Sequence, residues 1–142
     1  MDTAELRKSW EISLLALLLW REARNQSANA MMAVACSVRN RVLRPRWWGH
    51  DWISVILCGE QYSSFNRNDP NSTKFPPSAD SIFPQCLAIA AAIHEGLQDD
   101  VIGGADSYHD TSIAPPEWTT KMEKVGNVGD FSFYRTPEAM SA

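Results

Sequence analysis

At 142 residues, with 44% hydrophobic and 21% charged residues, the chain has the size and composition of one globular domain, which excludes a disordered or fibrous protein. A formal net charge of −4 and the lack of a long basic block exclude the electrostatic footprint of a nucleic-acid binder. The apolar run from Leu14 to Trp20 is too short to span a membrane, and its flanks, Glu11 before and Arg21, Glu22 and Arg24 after, are not those of a signal peptide.

In chain order, residues 10–24 read as a helix with Leu14, Leu15, Leu18 and Leu19 in an apolar stripe. Glu22 lies four residues after Leu18 and three after Leu19, so a carboxyl reaches the buried face at the last turn. After the polar turn Asn25-Gln26, Ser27 caps a second helix that turns Met31, Val34, Ala35, Val38 and Val42 inward until Pro45 stops it. Arg39 and Arg41 fall off that stripe and are expected in solvent. A third, short helix starts at Asp51, buries Ile53, Ile56 and Leu57, and ends at Gly59. Residues 60–78, with three Pro among Asn, Asp and Ser, read as a long loop, and long loops in compact domains commonly wall a binding cleft. Residues 81–98 form a fourth helix through Ile82, Cys86, Ile89, Ile93 and Leu97. Beyond Val101, β-like runs at 105–111 and 131–135 predict a small hairpin or irregular sheet, followed by a loose tail at 137–142. The fold class is α+β and mostly helical, in one catalytic domain with a core at about 10–136.

Cys36, Cys58 and Cys86 are odd in number and contain no CxxC, so they are expected to be reduced, as in a reducing cytoplasm. Six Trp in so short a chain suit either core packing or stacking on flat ligands and sugar rings.

Glu22 is the expected catalytic group. Desolvation against the Leu stripe and the negative end of the helix dipole both raise its pKa, and a carboxyl kept protonated is what glycoside cleavage needs to protonate the leaving oxygen. The competing reading is a carboxylate ion-paired with Arg21 or Arg24.

Several separated stretches carry a resemblance. Trp20-Arg21-Glu22-Ala23-Arg24 is followed by Ala33-Val34-Ala35 and Val38-Arg39-Asn40-Arg41-Val42, then Val55-Ile56, Gln61-Tyr62-Ser63-Ser64-Phe65 and Gly103-Gly104-Ala105-Asp106-Ser107-Tyr108-His109. Pro115-Pro116-Glu117-Trp118 and Phe133-Tyr134-Arg135 complete the order. This succession resembles the cell wall hydrolases of the spore-cortex-lytic type, over roughly Leu14 to Arg135. The resemblance implies a lysozyme-like, transglycosylase-type fold. It also implies lytic transglycosylase action on peptidoglycan, between N-acetylmuramic acid and N-acetylglucosamine, with Glu22 on the family's catalytic Glu. Around Glu22, Gln61, Ser63 and Tyr108 are expected as hydrogen-bonding contacts to the sugar, His109 as a group orienting them and Phe65 as a further substrate contact, while Trp118 and Tyr134 either stack on sugar rings or pack in the core. The chain departs from the pattern at Asn25-Gln26, where the family often has Gly-Glu, at Asp106-Ser107 for Thr-His, and at Phe65 for Trp. A second carboxylate, Asp106 or Asp110, would instead support water attack and make the enzyme a muramidase.

A zinc site is not expected, since His50, His94 and His109 are far apart and no HExxH or paired Cys occurs, and no cofactor is expected either. A Cys-His hydrolase is disfavoured because Cys36 and Cys86 sit on apolar faces. The rival of another class is a non-enzymatic peptidoglycan-binding module, distinguished by whether Glu22→Gln abolishes lysis. The partner is then bacterial peptidoglycan, with no membrane insertion and a monomeric protein. The expected setting is a phage endolysin made in the host cytoplasm and released by a holin, with delivery by a secretion machine as the alternative.

Overall fold

The computed structural model describes residues 1–59 and 61–138; residues 139–142, most of the expected tail, and Glu60 lie outside them. The first helix, α1 (Thr3–Ala23), starts seven residues before the expected start at Trp10. Asp2 accepts from the Glu5 backbone at 2.8 Å while Glu5 reaches back to the Asp2 N–H, a capping box that nucleates the helix from solvent-exposed residues where periodicity is silent. Further along, Leu15, Leu18 and Leu19 are fully buried.

The second helix, α2 (Ala28–Leu43), begins at the predicted Ser27 cap, whose hydroxyl accepts from Ala30 N at 3.2 Å. Ten of its 16 residues are buried, so the amphipathic reading was too narrow: this helix runs through the interior, and Ala33, Ala35, Cys36 and Ser37 let its neighbours approach closely. That is why Arg41 is buried at 6% exposure rather than solvated. It lies three residues past Val38, on the same face, and its guanidinium donates to Asp106 O (2.6 Å), Gln61 Oε1 (3.3 Å) and Ser107 Oγ (3.4 Å).

The third helix, α3 (Trp52–Ile56), is capped by Asp51 as expected but buries Val55 and Ile56, leaving Leu57 53% exposed just past its end. The fourth, α4 (Phe83–His94), buries Cys86, Ile89, Ala90 and Ile93. It stops at Glu95 because the chain turns through Gly96 at φ +75°, a conformation that costs little only without a Cβ. Leu97 is therefore off the helix and 82% exposed, contrary to its periodic spacing. Helices α1, α2 and α4 pack on one another, and α3 packs on α1 and α2.

Three strands follow, β1 (Ser107–Asp110), β2 (Glu123–Val128) and β3 (Phe131–Arg135), in an antiparallel sheet of order β1-β3-β2. The expected runs at 105–111 and 131–135 do pair, with Tyr108 opposite Phe133 and His109 opposite Ser132. The hairpin partner of β3 is β2, which the sequence conceals because its side chains are mostly exposed and a register shift falls between Lys124 and Gly126. Period-two alternation puts Tyr108, Phe131 and Phe133 on one face and His109, Ser132 and Tyr134 on the other. The first face joins the helical core through Phe131 and Phe133. Among the described residues no helix is long and apolar enough to cross a membrane.

Candidate active site

Glu22 is on the last turn of α1, half-buried. Tyr108, brought by β1 from 86 residues away, donates its hydroxyl to Glu22 Oε1 at 3.0 Å. The Tyr108 ring is held edge-on by Phe131 (centroids 5.2 Å), tilted against Phe133 (5.7 Å) and faces Tyr62 (6.4 Å), so the donor has little freedom to leave. Ser64 is fully buried close enough to act on the same carboxyl, and its hydroxyl has no hydrogen-bond partner.

Burial is the main reason the Glu22 carboxyl is held above its ordinary pKa of 4.5. The polar groups of Ser64 and the hydrogen bond from Tyr108 favour the carboxylate and oppose the rise, while the negative charge of Asp69 adds to it. Burial, and then the charge of Glu22, push the Tyr108 hydroxyl well above its usual value, so it remains a neutral donor. Tyr62, buried at 4% exposure, is raised for the same first reason.

No ion pair joins Glu22 to a cation among the described residues. Arg24 instead folds back to donate to Trp20 O (3.2 Å) and Arg21 O (3.3 Å), satisfying carbonyls that the helix end leaves open. Arg21 points into residues 62–75. The carboxyl is thus enclosed by neutral donors rather than neutralised.

The other expected site residues divide. Gln61 touches the Arg41 guanidinium through Oε1, and Arg41 in turn packs against the Tyr62 ring (5.5 Å), so both stand one layer behind the Tyr62 wall. Ser63 is exposed; the 3-10 turn Ser63–Phe65 points the next residue, Ser64, inward instead. Phe65 packs on Arg21, with 4.9 Å from guanidinium to ring centre. His109, Trp118 and Tyr134 form their own cluster on the far face of the sheet, with His109 Nε2 3.2 Å from Tyr134 OH and Trp118 edge-on to both rings. His109 therefore does not orient the groups around Glu22, contrary to expectation, because neighbouring strand residues face opposite ways.

Tyr62, Ser64, Asp69 and Arg41 are the neighbours that sequence reasoning missed. The i+3 step from Val38 was the available signal for Arg41, whereas none pointed to Asp69. Neither expected second carboxylate acts on Glu22. Asp106 is buried and accepts from Ser107 Oγ, Thr136 N and Thr136 Oγ1 at 2.9 to 3.1 Å. Asp110 caps the turn at Ser112 N, 2.8 Å away. The long loop does border an open depression of about 380 Å³, lined by Leu57, Cys58, Gly59, Phe65, Arg67 and two asparagines. Among the described residues, no three His, Cys, Asp or Glu are grouped to hold a metal.

The profile of the family described as Cell Wall Hydrolase matches residues 25–134, beginning three residues after Glu22. Among curated proteins none matches the chain. Two solved structures share the fold. The catalytic domain of the germination-specific lytic transglycosylase SleB from Bacillus anthracis is 18% identical with a TM-score of 0.70, the match covering 88% of this chain and 93% of that one. The catalytic domain of the Bacillus cereus SleB protein is 19% identical with a TM-score of 0.70, covering 88% and 89%. At these identities the likeness is one of fold.

Proposed function

This chain belongs to the cell wall hydrolase family, and from that premise we propose that it is a lytic transglycosylase, cleaving peptidoglycan glycan between N-acetylmuramic acid and N-acetylglucosamine with Glu22 as acid and then base. The observation that carries the reading is the half-buried Glu22 carboxyl, raised in pKa and bonded to the Tyr108 hydroxyl at 3.0 Å. A protonated carboxyl gives its proton to the glycosidic oxygen as the bond from C1 breaks. The carboxylate that results keeps the Tyr108 hydrogen bond, so the charge forms where a donor already waits. It then takes the proton of the C6 hydroxyl of the muramic acid as that oxygen closes on C1, which restores the acid and leaves an anhydro end. No water is consumed.

The fold shared with SleB, a lytic transglycosylase in Bacillus anthracis, supports this choice over hydrolysis. A muramidase remains the second reading because Asp69 is a carboxylate whose charge reaches Glu22 and which could direct a water. Mass spectrometry of fragments from purified peptidoglycan decides between them: anhydro-muramic ends that vanish in Glu22→Gln support transglycosylation, reducing muramic ends support the muramidase, and no cleavage overturns both. Loss of the acid is expected to cost about 10²- to 10⁴-fold in rate. The reading extends to an endolysin stored in the host cytoplasm and released by a holin. Lysis of an expressing host only when a holin is co-expressed tests that part.

A further inference from the structure

Resting on the reading of Glu22 as the acid, we propose that Arg21 is a positioning residue for it, fastening residues 62–75 to the end of α1 so that Tyr62 and Ser64 enclose the carboxyl. Arg21 is 7% exposed and makes no ion pair among the described residues. Its three nitrogens donate to three backbone carbonyls of one loop: Nε to Lys74 O at 3.0 Å, Nη1 to Ser64 O at 3.3 Å and Nη2 to Ser72 O at 3.1 Å. The rings of Phe65 and Phe75 close over it, with centres 4.9 and 5.0 Å from the guanidinium carbon.

Burying a guanidinium among neutral acceptors is costly, and the gain here is shape: a flat fork spans carbonyls that come from both ends of the loop. That loop has little regular structure of its own, only the 3-10 turns Ser63–Phe65 and Pro70–Thr73. Ser64 makes the link direct. Its carbonyl accepts from Arg21 while its buried hydroxyl is near enough to act on Glu22, so two adjacent helix residues meet the same loop residue. Tyr62 and Asp69, the other loop groups that act on the site, are carried by the same fastening. Lysine, a point donor on a flexible stem, cannot reproduce three directed bonds.

The test is a pH–rate profile on purified peptidoglycan for wild type, Arg21→Gln, Arg21→Lys and Ser64→Ala, with Glu22→Gln as control and thermal melts to confirm folding. Arg21→Gln is expected to lower kcat by about 10- to 100-fold, the scale of a misplacement near 1 Å, with a smaller change in KM. It should also move the basic limb of the profile to lower pH, because a released loop admits water and burial is the largest cause of the raised Glu22 pKa. Ser64→Ala should move the limb the other way, since it removes a hydroxyl whose presence favours the carboxylate and leaves the loop fastened. Arg21→Lys should not restore the wild-type profile. A folded Arg21→Gln with wild-type kcat and basic limb overturns the proposal, as does full rescue by Lys. If Arg21→Gln does not fold, Phe75→Ala, which removes one exposed ring of the clamp, should give a weaker shift in the same direction, and an unmoved limb overturns the proposal. An active Glu22→Gln overturns the acid assignment and this inference together, whereas an inactive one beside an unperturbed Arg21→Gln overturns the inference alone.

Discussion

The two faces of the three-stranded sheet carry similar side chains and meet different surroundings. On one, Tyr108 packs among Phe131, Phe133 and Tyr62 and gives its hydroxyl to Glu22. On the other, His109 stacks on Tyr134 at 5.5 Å beneath Trp118, and its ring nitrogens are taken up by Tyr134 OH and its neighbour's carbonyl, Asp110 O. One peptide unit separates a residue bonded to the candidate acid from one sealed into packing. Residues contiguous in a motif need not be contiguous in space, and on a strand every second member looks away.

The comparison breaks if substitutions on the two faces have the same kind of effect. Tyr108→Phe is expected to have the largest. It deprives the ionised Glu22 of its donor, and hydrogen bonds to charged groups contribute about 1.5–3 kcal/mol, or about 10- to 100-fold in kcat. Because that bond favours the carboxylate, its loss raises the Glu22 pKa further, and the basic limb of the activity profile should move to higher pH. His109→Ala should leave the profile in place and lower stability by about 1–3 kcal/mol, the cost of a buried Tyr134 hydroxyl left without its partner, read from urea unfolding. Glu22→Gln sharpens the contrast from the stability side. A carboxyl with a raised folded pKa contributes stability that is complete below its ordinary 4.5 and is lost as pH rises through the folded value. Gln does not titrate, so the melting temperature of the variant should gain on wild type as pH climbs through that range and match its trend in acid.

Much of the helical half was legible. The cap at Ser27, the apolar stripe that delivers Glu22 and the core positions of α4 follow from local rules that the tertiary structure does not override. Misreadings came where a rule was applied past its element: Leu97 was given a helical position beyond the turn at Gly96, and Leu57 one beyond a helix of five residues. Arg41 is misplaced by the sequence reading because it is set off the apolar stripe, whereas a helix buried on most sides carries its polar groups inward and satisfies them there. At the site, Glu22 and Tyr108 were readable, the first from spacing and the second from resemblance. Ser64 and Asp69 were not, since a loop of 3-10 turns has no long-range period to reveal which side faces in.

The bond between Tyr108 and Glu22 closes a span of 86 residues. During synthesis Glu22 emerges early and its donor Tyr108 late, and the helices α1 to α4 are all made before β1 appears. A chain cut short after α4 has all four α-helices and Glu22, but not Tyr108. Closing so long a segment carries an entropic cost that only the packed sheet offsets. The Tyr108–Glu22 bond is therefore tied to the sheet taking its place, and unfinished or clipped molecules have the candidate acid without the hydroxyl that bonds to it.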